Sequence, residues 1–74
     1  MADGAALREQ LLALGNIGPA ADPAVPLLVA ALRDKSVDVR DSAATALSRI
    51  RTPRARQAFA RYVREETRRN IERP

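Results

Sequence analysis

Self-similarity constrains this chain more than any single residue does. Ala13-Leu14-Gly15-Asn16-Ile17 matches Ala46-Leu47-Ser48-Arg49-Ile50 at an offset of 33, and Pro23-Ala24-Val25 through Leu32 matches Pro53-Arg54-Ala55 through Tyr62 at an offset of 30. Repetition at this length means one supersecondary unit used twice, neither copy able to bury its apolar face alone. The three-residue difference between the offsets places a shorter internal turn in the second unit.

Spacing within each unit is helical. Val39, Ala43, Ala46, Leu47 and Ile50 recur at intervals of three and four, as do Val25, Leu28, Val29 and Leu32, and Ala55, Ala58, Phe59, Tyr62 and Val63. Such stripes read as amphipathic helices and not as strands, which would alternate. Breaks at Asp3-Gly4, Gly18-Pro19 with Asp22-Pro23, Asp34-Lys35-Ser36 and Thr52-Pro53 cut the chain into four helices, near 4–16, 23–33, 37–50 and 53–71. Asp22-Pro23 and Thr52-Pro53 each offer a side-chain acceptor at the N-cap and a proline at the first helical position, where no N–H is needed. Ser36 and Asp3 are the expected caps of the other two helices, and Gly18 is the expected left-handed C-cap of the first. The short turns make neighbouring helices antiparallel. The expectation is an all-α fold: one unit over 1–74, built of two antiparallel helical hairpins at about 4–34 and 36–72 and stacked as a short right-handed solenoid.

The stretch Ala13-Leu14-Gly15-Asn16-Ile17-Gly18, then Ala24-Val25-Pro26-Leu27-Leu28, Ala31-Leu32-Arg33-Asp34, Val39-Arg40 and Ala43-Ala44-Thr45-Ala46-Leu47 resembles HEAT repeats, and most of all the phycobilisome-lyase-type HEAT-like repeats. The resemblance implies that Asp34 satisfies backbone N–H groups at a helix start, and that Arg40, entering the next helix beside Val39, extends a polar ladder between repeats. Ala6 and Leu7 stand where Val39 and Arg40 stand in the second unit, and Arg64-Glu65-Glu66-Thr67 begins no third one. For function, the resemblance implies a protein-binding scaffold. Some relatives of that kind instead position a chromophore or bind DNA on a basic concave face, and fold alone does not choose among these.

Composition narrows the chemistry. The chain has no Cys and no His, so it can assemble no zinc cage, thiolate nucleophile or imidazole base, and neither catalytic residue, metal nor cofactor is expected. Fifteen of the 74 residues are Ala, which predicts a thin core and a chain that leans on a neighbour or a second copy of itself. The start Met1-Ala2-Asp3-Gly4 has no basic, apolar leader pattern, and the longest unbroken apolar run, Ala24 to Leu32, is short for a membrane span. A cytoplasmic protein without membrane insertion is the expectation.

Charge singles out the last helix. Residues 1–50 hold five basic and six acidic side chains, for a net −1, whereas residues 51–74 hold eight Arg and three Glu, for a net +5. At ~100° per residue, Arg54, Arg61, Arg64 and Arg68 fall on one face. A row of guanidinium forks suits carboxylate or phosphate partners, although an exposed terminal helix is often charged for solubility alone. On the second helix Leu27 and Ala31 occupy positions matched to Gln57 and Arg61, leaving it apolar on nearly every side. The expected interaction surface is therefore Leu27, Ala31, Arg54, Arg61, Arg64 and Arg68, for an acidic protein partner. Nucleic acid is the alternative, weakened by the lack of aromatic residues among the arginines. Self-association into an assembly is the other.

Overall fold

The computed structural model describes residues 4–72, with side chains over 6–68. Apart from the turns at 32–36 and 51–52 it is helical over that range: α1 (Gly4–Ile17), a 3-10 helix (Gly18–Ala24), α2 (Val25–Ala31), α3 (Val37–Ile50) and α4 (Pro53–Glu72). Helix α1 lies along α3 in the most extensive contact of the chain, while α2 touches α4 more lightly. The arrangement is an all-α helical repeat, as the sequence predicts.

Gly18 ends α1 with φ +83, the left-handed conformation expected of it. The matched position in the second unit, 33 residues on, is Arg51, which ends α3 with φ +66 and carries a side chain there. Thr52 caps α4 as expected: its Oγ1 accepts the Ala55 N–H at 3.2 Å. The matched Asp22-Pro23 does not start α2. An α-helix beginning at Pro23 would need the residue 26 N–H to reach the Asp22 carbonyl, and residue 26 is proline. The Asp22 carbonyl instead accepts the Val25 N–H, an i→i+3 bond, and the chain runs as a 3-10 helix until Val25. In the second unit position 56 is Arg, whose N–H reaches the Thr52 carbonyl at 2.8 Å, so α4 starts at Pro53.

Ser36 is the N-cap of α3 but makes no side-chain cap bond. Its own N–H donates to Asp34 Oδ1 at 2.9 Å, the role the resemblance implies for Asp34. Arg40 departs from the role implied for it. Its Nη1 donates to the carbonyls of Asp34 (2.7 Å) and Lys35 (3.0 Å), clamping the α2–α3 turn beside it and not reaching across to another rung. Val39 is buried, 2% exposed. The expected cap Asp3 lies outside the described residues.

The core is thin. Among the described residues Leu11, Leu28, Leu47 and Ile50 are its largest fully buried side chains, with Ala21, Ala43, Ala44, Ala46 and Ala55 filling between them. Alanine lets the helices approach closely, and at one point glycine is required. A Cβ on Gly15 would stand 2.7 Å from Ala46 Cα, inside any permitted contact. Ala6–Ala31 is long and apolar enough to cross a membrane by length and composition alone. Gly18 and the 3-10 turn interrupt it between α1 and α2, helices of 14 and 7 residues, each shorter than the ~20 residues a span needs.

Candidate functional site

Two polar rungs tie the hairpins together, and both join positions matched by the repeat. Arg49 Nη1 donates to Asn16 Oδ1 at 2.8 Å, across the offset of 33. Thr52 Oγ1 donates to Asp22 Oδ1 across the offset of 30. Arg54 then closes on the same carboxylate, its Nη2 and Nε reaching Oδ2 at 3.0 and 3.3 Å and its Nη2 reaching the Asp22 carbonyl at 3.1 Å. The Thr52 hydroxyl, and after it the Arg54 guanidinium, hold the Asp22 carboxyl below its ordinary value of 3.8.

The six residues expected on one interaction surface divide among three settings. Arg54, although its side chain is 57% exposed, is paired within the molecule: its fork locks the α4 start to the 3-10 helix through Asp22. Arg61, Arg64 and Arg68 are exposed on α4 and make no hydrogen bond or ion pair among the described residues. Arg61 lines a narrow crevice of about 80 Å³ between α2 and α4 with Val29, Arg33, Ala58 and Tyr62. Leu27, 60% exposed, and Ala31 lie elsewhere, in an apolar groove of about 490 Å³ between α1 and α2 whose other walls include Leu7, Leu11 and Leu14. A further cleft of about 520 Å³ between Arg33, Arg40 and the carboxylates Asp34, Glu65 and Glu66 mixes both signs of charge and so attracts neither strongly.

Sequence reasoning missed Asp22 as the partner of Arg54, Asn16 as the partner of Arg49, and the close approach at Gly15. The signal for the Asn16–Arg49 pair was present in the repeat offset of 33, whereas Arg54 stands 32 residues from Asp22, off the offset of 30. In a stack each residue lies beside its counterpart one unit away, so a donor matched with an acceptor at the repeat offset is a candidate rung.

Helical hairpins whose matched positions face one another across a shared core define a helical-repeat stack. Comparison with known families matches HEAT repeats over residues 2–73, and the chain belongs to that family. The match does not distinguish the phycobilisome-lyase-type subgroup. HEAT repeats are generally protein-interaction scaffolds and typically not enzymes. No curated protein and no solved structure matches the chain.

Proposed function

We propose that this protein is a cytoplasmic, non-enzymatic scaffold module whose α4 docks a protein partner bearing a carboxylate-rich surface or helix. The observation that carries the reading is the set of exposed guanidiniums at Arg61, Arg64 and Arg68, spaced by three and four residues and free of internal partners among the described residues. Each fork can make two parallel charge-assisted bonds to a carboxylate, which fixes the orientation of the bound surface as well as attracting it. Leu27 and Ala31, in the groove between α1 and α2, lie apart from that row and are not part of this docking surface.

The test is capture from a lysate of the source organism with wild-type bait and with Arg61→Glu/Arg64→Glu bait, before and after nuclease. A protein retained through nuclease treatment and lost with the variant, whose melting temperature stays unchanged, is the expected result. Capture that vanishes with nuclease, with an affinity falling steeply as salt rises, would replace the reading by nucleic-acid binding. Capture indifferent to the charge reversal would end it.

A further inference from the structure

The second unit departs from the first where α3 ends. Gly18 and Arg51 are matched at the offset of 33, and both hold the left-handed conformation that ends a helix, at φ +83 and +66. Glycine takes that conformation freely, whereas a residue with a Cβ is strained there. The turn therefore asks for no side chain at position 51. Nothing within the molecule offsets the strain either: the Arg51 side chain is exposed and makes no hydrogen bond or ion pair among the described residues.

Arg51 lines a cleft of about 480 Å³ at the seam of the two hairpins, where α1 and α3 end, together with Gly15, Asn16, Gly18, Ser48 and Arg49. Its charged side chains are all of one sign. The cleft at Arg33 and Arg40 sets Asp34, Glu65 and Glu66 against its arginines, and the crevice between α2 and α4 holds Glu65, but no carboxylate lines this one. The C-termini of α1 and α3 together bring about one unit of negative charge to it, so the guanidiniums of Arg49 and Arg51 leave it net positive. Its free polar groups are mainly donors. Arg49 Nη1 donates to Asn16 Oδ1 at 2.8 Å, which turns the amide oxygen toward Arg49 and leaves the Asn16 NH2 and the other Arg49 N–H groups unpaired among the described residues. Ser48 directs its own proton to the Thr45 carbonyl at 2.7 Å.

We propose that this cleft binds a phosphate monoester, its oxygens held by the forks of Arg51 and Arg49 with the Asn16 amide as a third donor. A tetrahedral oxyanion accepts several N–H groups at once, and guanidinium forks meet its oxygens in pairs. A nucleic-acid strand fits less well. It needs a track of phosphate contacts, and Arg54, the next basic residue along the chain, is closed on Asp22. The site is separate from the α4 row and does not rest on it.

The experiment titrates inorganic phosphate, and separately N-acetyl-O-phosphoserine amide, into the isotopically labelled full chain at constant ionic strength and follows the amide shifts. Saturating shifts centred on Gly15, Asn16, Gly18, Ser48, Arg49 and Arg51 are expected, half complete at ~5 mM or below. Arg51→Gly restores the residue of the first unit. It should weaken binding about tenfold or more, the scale of one lost charge-assisted contact, while raising the urea midpoint, so the loss cannot be a loss of fold. Tighter binding of the phosphoserine amide assigns the group to a phosphorylated side chain, and equal binding assigns it to a small phosphate compound. Shifts that do not saturate, or an affinity unchanged by Arg51→Gly, would overturn the proposal. An oligothymidylate without terminal phosphates that binds more tightly than either monoester would overturn it in favour of nucleic acid. Arg61→Glu/Arg64→Glu should leave the titrations unchanged; a weakened affinity there would move the phosphate to α4 and overturn this assignment.

Discussion

Gly15→Ala sets two effects of opposite sign against each other. Alanine is favoured over glycine in a helix interior by about 1 kcal/mol, so propensity alone predicts a more stable protein. The added Cβ, however, would lie 2.7 Å from Ala46 Cα and 3.2 Å from the Ala46 carbonyl oxygen, where carbons prefer ~3.5–4.0 Å. Relief requires α1 and α3 to part by about 1 Å along the chain's most extensive contact. Overpacking costs about 1–3 kcal/mol, and an obstacle made of backbone, which cannot rotate away, belongs at the upper end. The net is a loss of about 2 kcal/mol. With an unfolding entropy near 2.1 cal/mol/K per residue over 74 residues, that lowers the melting temperature by about 13 °C. Thermal melts followed by far-UV circular dichroism measure it. Adding Ala46→Gly should recover little, since Ala46 Cα, the nearest obstacle, remains. A melting temperature raised by Gly15→Ala would refute the close-approach argument.

The left-handed residue Arg51 (φ +66) gives a paired test. Arg51→Gly should stabilise by about 1 kcal/mol and Gly18→Ala at the matched position should destabilise by a similar amount, both read from urea midpoints. For Asp22 the sign follows from its lowered pKa. The folded carboxyl binds its proton less readily than the unfolded one, so its contribution is complete well above the ordinary value of 3.8 and fades as pH falls through the lower folded value. The stability gap between wild type and Asp22→Asn should therefore be widest near neutral pH and shrink below about pH 4; a gap that is constant with pH would show that the carboxylate's charge is not what the Thr52 and Arg54 contacts use.

Periodicity and the repeat made α1, α3 and α4 legible to within a residue or so of their ends, because these helices are amphipathic and bounded by strong breakers. The start of α2 was not legible from the local cap pattern. Asp22-Pro23 and Thr52-Pro53 look alike as dipeptides, and the difference lies three residues on, where Pro26 removes a donor that Arg56 retains. The arginine row could be read as a face but not as a set of free charges. Helical geometry places Arg54 with Arg61, Arg64 and Arg68, while only the stacking of the hairpins brings Asp22 to Arg54. Gly15 gave no local signal, since its reason is a helix 31 residues further along.

The unequal lengths of α2 and α4 have a mechanical consequence. Helix α2 ends at Ala31, whose counterpart is Arg61, yet α4 runs on to Glu72. The eleven residues from Tyr62 to Glu72 form a boom of about 16 Å with no second-helix counterpart alongside. A load at Arg68 pivots α4 about the half-buried Phe59 and Tyr62 and is resisted at the opposite end, where Thr52 and Arg54 hold Asp22. Those aromatic contacts and that anchorage are the two supports of the overhang, so a pull on the arginine end loads the core as well as the seam between the two hairpins.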